Sequence, residues 1–107
     1  AEGRLDAAIE RLRSAVRLDP RDAGAANNLG VAYEEKGEID AAIDAYRMAI
    51  GRMRSHPRAH SNLALLLVRR GELDEARGHF EQALEIDPEN GDALRGLEAI
   101  ESRRSSR

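Results

Sequence analysis

The most constraining feature of the sequence is an internal repeat. Three similar segments, GRLDAAIERL at residue 3, GEIDAAIDAY at residue 37 and GELDEARGHF at residue 71, follow one another at steps of 34 residues. The same step joins positions of like character: Leu5, Ile39 and Leu73; Ala8, Ala42 and Ala76; Leu12, Tyr46 and Phe80; Ala15, Ala49 and Ala83; and Leu29 with Leu63. A period of about 20 to 50 residues indicates supersecondary units that bury their apolar sides by stacking.

Each period contains two helical patterns. In residues 23–36, apolar or small side chains recur at positions 26, 29, 30 and 33, a spacing that forms one stripe along a helix. Gly37 suits the left-handed conformation that ends a helix, and residues 39–53 then carry a second apolar stripe. Pro57 is expected in the first turn of the following helix. We therefore predict about six helices: 5–18, 23–36, 39–53, two between 57 and 90, and 91–103.

Small residues at repeated positions indicate close helix packing. Gly30 on a first helix is expected to face Ala42 on its partner, so that the two backbones approach while Tyr46 fills the next layer. The second copy repeats this arrangement with Ala64, Ala76 and Phe80.

Composition supports an all-helical chain. Only 3% of the 107 residues are aromatic, and the hydrophobic share of 41% comes mainly from Ala, Leu and Ile, which disfavours β-rich folds. The absence of cysteine excludes disulfides, cysteine-based zinc sites and thiol catalysis. A net charge of −3 argues against non-specific nucleic-acid binding, and no apolar run approaches the roughly 18 residues of a membrane span. We expect a soluble chain, with the cytoplasm favoured, that binds neither nucleic acid nor membrane.

The residues at the repeated positions resemble the tetratricopeptide repeat (TPR) family. The first copy comprises Ala26, Leu29, Gly30, Tyr33, Ala42, Tyr46 and Ala49, and the second comprises His60, Leu63, Ala64, Leu67, Ala76, Phe80, Ala83 and Pro88. The resemblance covers nearly the whole chain, although Ala26 and His60 stand where the family usually has a bulky aromatic residue. It implies an all-α fold, an α-solenoid in which antiparallel helix pairs stack into a right-handed superhelix. It also implies a non-catalytic scaffold whose partner is another protein or a peptide.

The repeat predicts a single TPR domain with an incomplete first unit. Residues 1–20 supply only a second helix, 23–56 and 57–90 are complete units, 91–103 form a capping helix, and 104–107 form a basic tail. The first helix carries a broad apolar stripe without a preceding helix to cover it. We expect either a fragment of a longer, bacterial-like protein, or a homodimer or higher oligomer that pairs through Leu5, Ile9, Leu12 and Val16.

Two asparagines recur at the repeat spacing and are the main candidates for binding. Asn28 and Asn62 each lie one residue before the apolar stripe and are turned about 100° from it. The resemblance implies that this phase faces a concave groove, where an amide can donate to and accept from a peptide backbone. Further groove residues expected are Val31, Arg58, Leu65, Arg69 and Arg95. The alternative is that both asparagines are polar residues on a solvated helix face, as we expect for Asn27.

Some TPR proteins hold the C-terminal carboxylate of a ligand with several basic and amide residues. Arg58 and Asn28 fit part of that pattern, but Asn62 and Gly96 stand where a basic residue is expected. The resemblance therefore does not extend to carboxylate recognition.

The sequence offers no constellation for catalysis. The three histidines, His56, His60 and His79, fall at different phases of the repeat, so we expect only His56 and His60 to be neighbours, and a metal site there would need further ligands. No glycine-rich phosphate loop is present, and the carboxylates are spread as on solvated helix faces. We predict no catalytic residues, no metal and no cofactor.

Overall fold

The computed structural model describes residues 2–105, with the side chains of residues 3–103. Within that range the chain forms six helices and no strand, which confirms the all-α prediction. The helices are α1 (Glu2–Leu18), α2 (Ala23–Lys36), α3 (Ile39–Arg52), α4 (Ala59–Arg69), α5 (Leu73–Ile86) and α6 (Gly91–Ser105). Two compact units, Ala1–Ala59 and His60–Arg107, are called unit 1 and unit 2 below. None of the described helices has the length and apolar character needed to cross a bilayer.

Side chains and glycines fix the ends of the helices, and among them Gly37 ends α2 as predicted. The carboxylate of Asp22 accepts from the Ala25 N–H at 2.9 Å at the start of α2, and the Asn90 amide oxygen accepts from the Ala93 N–H at 3.0 Å at the start of α6. Gly37 ends α2 with a φ of 85°, and Gly71, one period later, has a φ of 80°. In this left-handed conformation the chain turns sharply into the next helix.

The beginning of α4 differs from the expectation. The helix starts at Ala59, so Pro57 lies in the turn before it and not in its first turn. The Nδ1 atom of His56 accepts from the backbone N–H groups of Arg58 and Ala59 at 3.2 and 3.1 Å, so a side chain closes this turn. At the other end of the chain, α6 continues to Ser105 into the expected basic tail, and residues 106 and 107 lie outside the described range.

Unit 1 contains an apolar cluster that joins its helices. Large side chains of α1 and α2 pack there against alanines, which let the helices approach closely. The buried members are Ile9, Val16, Ala25, Ala26, Leu29, Ala32, Ala45, Ala49 and Ala59, with Leu5, Leu12, Ala15, Tyr33 and Ile50 packed at the edge. At the rim, the Nζ atom of Lys36 lies 2.6 Å from a carboxylate oxygen of Asp6 and joins α2 to α1.

Gly30 of α2 packs against the ring of Tyr46 of α3. A Cβ atom placed on Gly30 would lie 2.5 Å from the Cε1 atom of Tyr46, so only glycine leaves room for the ring. The buried Tyr46 hydroxyl donates to the Oε1 atom of Glu34 at 2.9 Å. Burial and the neighbouring Glu34 carboxylate raise the pKa of Tyr46 well above its ordinary value of 10.0, because both disfavour the phenolate.

Unit 2 buries apolar side chains from all three of its helices. Its fully covered residues include Leu63, Leu66, Leu67, Ala76, Phe80, Ala83, Ala93 and Ile100. A Cβ atom placed on Gly96 of α6 would lie 2.2 Å from the Cζ atom of Phe80, so α6 approaches the aromatic ring of α5 directly. An ion pair between Arg77 and Glu101, at 2.9 Å, joins the same two helices at the surface.

Candidate functional site

In unit 1, the predicted groove residues Asn28 and Val31 lie together on α2. Both are exposed, Val31 to 37%, while Leu29 and Gly30 between them are buried. Residues three apart in a helix share a face, so the amide and the apolar side chain form one small patch. The structure thus places Asn28 on an accessible surface.

In unit 2, the equivalent residues Asn62 and Leu65 lie on α4 together with Arg69. Leu65 is 38% exposed, close to the value for Val31, and Arg69 is also exposed. Asn62 differs from Asn28 because it is half-buried and has a polar contact within the protein. The spacing of three and then four residues puts all three side chains on one face of α4.

The other two predicted groove residues lie outside these patches. Arg58 is exposed in the turn before α4, where its backbone N–H is bound to His56. Arg95 lies on α6, and its guanidinium is 2.7 Å from the carboxylate of Asp92 on the same helix. Because that carboxylate partly neutralises it, Arg95 attracts an anionic ligand less strongly than an unpaired arginine.

The prediction that Asn27 is a surface residue is wrong. Asn27 is only 4% exposed, and its counterpart one period later, Ser61, is 2% exposed. Both side chains have polar partners in the fold. A buried polar group must be hydrogen-bonded to be tolerated, so these residues contribute to the packing of α2 and α4. The sequence did contain a signal for this burial. Asn27 and Ser61 occupy the same position of the repeat, and both are small polar residues directly before an asparagine.

The expectation that only His56 and His60 could be neighbouring histidines is also wrong. His60, which is 1% exposed, has its Nδ1 atom 3.0 Å from the Nδ1 atom of His79, and the two rings stack with centroids 5.2 Å apart. The Nε2 atom of His79 in turn lies 3.4 Å from a carboxylate oxygen of Glu75. One feature of the sequence pointed to a packed position for His79, because it directly precedes the core residue Phe80. Within the described residues, no group of three or more His, Asp or Glu side chains is arranged to hold a metal ion.

The predicted self-association face is largely used within unit 1. Ile9 and Val16 are buried in the apolar cluster, and Leu5 and Leu12 are half-buried against it. Pairing of two chains through these four residues stays a prediction.

Comparison with known proteins identifies the family. Two family models described as Tetratricopeptide repeat match the chain, one over residues 1–57 and one over residues 57–90. The chain belongs to the tetratricopeptide repeat family. Its six helices are those of an all-α TPR solenoid. No curated protein sequence matches this TPR chain.

Solved structures share the fold over most of the chain. The first TPR of Spaghetti (RPAP3), bound to the HSP90 peptide SRMEEVD, is 25% identical with a TM-score of 0.89, covering 97% of this chain and 82% of that one. The second TPR domain of human RPAP3, in complex with the HSP70 peptide SGPTIEEVD, is 27% identical with a TM-score of 0.84, covering 94% and 83%. MamA is 31% identical with a TM-score of 0.84, covering 91% of this chain and 57% of that one.

Proposed function

We propose that this TPR chain is a non-catalytic interaction module that binds extended peptide segments of a partner protein through α2 and α4. The observation that carries the proposal is the recurrence, at one repeat phase, of an asparagine followed three residues later by an exposed apolar side chain; Asn28 is exposed and Asn62 is half-buried. The pair is Asn28 and Val31 on α2 in unit 1, and Asn62 and Leu65 on α4 in unit 2.

The chemistry of this pair suits an extended peptide. An amide side chain offers a donor and an acceptor together, so it can bond to the N–H and C=O groups of a peptide whatever its sequence. Val31 and Leu65 offer apolar contacts for the side chains beside the bonded peptide group. Arg69 adds a positive charge on the face that carries Leu65, which favours peptides with an acidic residue.

Two of the similar structures support this proposal, because both are TPR domains with a bound peptide. We propose that this chain shares the use of peptides as ligands and differs in how it recognises them. Asn62 and Gly96 stand where the carboxylate-binding pattern has basic residues, and Arg95 is paired with Asp92. The two amides and the apolar side chains then supply most of the affinity.

The affinity for a peptide is expected to be modest. A neutral hydrogen bond contributes roughly 1 kcal/mol, so the two asparagines together account for about a tenfold to thirtyfold gain in affinity. The apolar contacts of Val31 and Leu65 add to this, while ordering a flexible peptide opposes it. We expect dissociation constants in the micromolar range.

The test is a peptide selection followed by a double substitution. Unstructured peptides are selected from a random library displayed on phage, and their affinity is measured by fluorescence anisotropy on the original chain and on Asn28→Ala/Asn62→Ala. The variant is expected to bind about tenfold to thirtyfold more weakly without a change in molecular mass. Gln82→Ala, which removes an exposed amide on α5, is the matched control and is expected to bind normally.

Two outcomes contradict the proposal. If the double variant binds the selected peptides as well as the Gln82→Ala control does, the asparagines are ordinary polar residues on a solvated face. If light scattering instead shows that the double variant changes oligomer size, the residues contribute to self-association.

A further inference from the structure

Unit 1 contains a cleft on a surface that the proposed peptide patches do not use. It has a volume of about 340 Å³ and lies between α1 and α3, with α2 as its floor. Neither Asn28 nor Val31 lines it. Its size falls at the lower end of the range for ligand sites in proteins.

The interior of the cleft is apolar. Val16 of α1, Leu29 of α2 and Ala45 of α3 form its inner surface, and Tyr33 lines it next to them. Met48 of α3 stands at the edge and is exposed. A methionine side chain is flexible and polarisable, so it adapts to the shape of an apolar group that enters.

Charged side chains of opposite sign lie on the two sides of the cleft, which are formed by α1 and α3 and are called its walls. Arg13 and Arg17 lie one turn apart on α1, where Arg13 is 3.4 Å from Glu10 and Arg17 is 3.2 Å from the Ser14 hydroxyl. Asp44 lies on the α3 wall. Asp44 is exposed, and Tyr33 is half-buried. The α1 wall is thus basic mainly through Arg17, because the Glu10 carboxylate partly neutralises Arg13.

The spacing of the lining residues indicates the shape of the occupant. Residues 13, 16 and 17 of α1, and 41, 44, 45 and 48 of α3, recur at steps of three and four. Each wall is therefore a ridge of helical side chains, and the trough between two such ridges fits the ridge of a third helix. The walls offer no row of unpaired backbone groups, because their residues lie within helices. An extended strand finds no backbone partner there, whereas a helix satisfies its own backbone bonds.

We propose that the cleft between α1 and α3 is a second docking site, which binds an amphipathic helix of a partner protein. Apolar side chains of that helix, spaced three or four residues apart, enter between Val16, Leu29 and Met48. Acidic side chains on the flank that faces α1 pair with Arg17, and more weakly with Arg13, which Glu10 partly neutralises. The tyrosine hydroxyl of Tyr33 and the Asp44 carboxylate offer hydrogen-bond partners to polar groups on the opposite flank.

The probe for this site is a synthetic helical peptide. It has about 15 residues, because shorter isolated helices are marginally stable in water. Leucines at positions i, i+4 and i+7 form its ridge, and glutamates flank them. A second peptide carries lysines in place of the glutamates. Amide chemical shifts of the isotope-labelled chain are followed by NMR as each peptide is added, and the glutamate peptide is expected to shift residues 13–17 and 41–48.

Matched substitutions show whether the cleft itself binds. Arg17→Glu is expected to weaken the glutamate peptide roughly fivefold to tenfold and to strengthen the lysine peptide, whereas Arg11→Glu on the exposed side of α1 has little effect. Met48→Glu is expected to remove binding of the leucine ridge, and Met53→Glu, at the exposed end of α3, is its control. Circular dichroism melts confirm that each variant is folded.

Several results would overturn the proposal. One is the absence of shifts with the glutamate peptide at about 1 mM, which corresponds to an affinity too weak for a docking site. Another is a set of shifts centred away from residues 13–17 and 41–48. The third is an equal effect of Arg17→Glu and Arg11→Glu, which would show only a general attraction of charge.

Discussion

The ring of Tyr46 occupies the space that any side chain at Gly30 would need. Because an added Cβ atom would lie 2.5 Å from the ring, Gly30→Ala is expected to force the two helices apart and to destabilise the chain by about 1 to 3 kcal/mol. The gain in helix propensity, at most about 1 kcal/mol, offsets only part of this. Urea denaturation measures the difference.

Gly51→Ala provides the control for this substitution. Gly51 has helical backbone in the last turn of α3, and nothing stands within 4 Å of a Cβ atom there. The control is expected to keep its stability or to gain at most about 1 kcal/mol, because alanine is the better helix former and the effect is largest in a helix interior. If both variants gain stability equally, the tight contact at Gly30 does not exist.

The raised pKa of Tyr46 predicts a loss of stability in alkali. The folded state keeps the phenol protonated, while the unfolded state releases the proton near pH 10, so the folded state binds more protons above that pH. The free energy of unfolding therefore falls as the pH rises, by up to about 1.4 kcal/mol per pH unit for this one group. Denaturation of the original chain and of Tyr46→Phe between about pH 9 and 11 isolates the effect, since the variant lacks this slope.

The same variant is expected to be less stable at neutral pH. Tyr46→Phe removes the bond to Glu34 at 2.9 Å and leaves that half-buried carboxylate without its phenol donor. We expect a loss of about 1.5 to 3 kcal/mol, as for a hydrogen bond to a charged group. Identical pH profiles for the two chains would contradict the assigned environment of Tyr46.

The helices could be predicted from the sequence because their signals are local. The spacing of apolar residues in 23–36 gave the bounds of α2, and Gly37 has the left-handed conformation that ends it. The need for a small residue at position 30 was also visible in the repeat. The sequence did not show that the Tyr46 ring fills the space next to Gly30. The position of the ring depends on its rotamer, which no spacing in the sequence reveals.

The errors in the site prediction have a different cause. Asn27 and Asn28 are adjacent and chemically identical, yet one is buried and the other exposed. A rotation of 100° per residue separates the two environments, and neighbouring helices decide how wide the buried face is. The contact between His60 and His79 likewise depends on how α4 and α5 pack, which a search for short spacings along one helix cannot reveal.

Gly96 is expected to tolerate substitution as poorly as Gly30. A Cβ atom there would lie 2.2 Å from the Phe80 ring, so Gly96→Ala is expected to cost about 1 to 3 kcal/mol of unfolding free energy in unit 2. Gly78→Ala on α5 is the matched control, because no atom stands within 4 Å of its Cβ position. The control should be about 0.5 to 1 kcal/mol more stable than the original chain in thermal melts.

Removal of the His79 side chain is expected to lower the stability of the chain. His79→Ala removes the ring whose Nδ1 atom lies 3.0 Å from the buried Nδ1 atom of His60, along with their stacking contact. We expect a loss of about 1 to 3 kcal/mol, because a buried imidazole nitrogen loses a hydrogen-bond partner. Glu81→Ala, on the exposed side of α5, is the control and should change stability by less than about 0.5 kcal/mol. Equal stability of the two variants would show that the pair contributes nothing.

The C-terminal carboxylate of a bound peptide is expected to contribute little to its affinity. Peptides selected for this chain are expected to keep their affinity within about threefold when their C-terminal carboxylate is amidated, because few cations are placed to bind it. Position 96 is closed to a basic side chain by Phe80, and the guanidinium of Arg95 already lies 2.7 Å from Asp92. Fluorescence anisotropy with free and amidated forms of the same peptide makes the measurement. A loss of more than about tenfold on amidation would require a cation aimed at the carboxylate, with Arg58 and Arg69 the first residues to substitute.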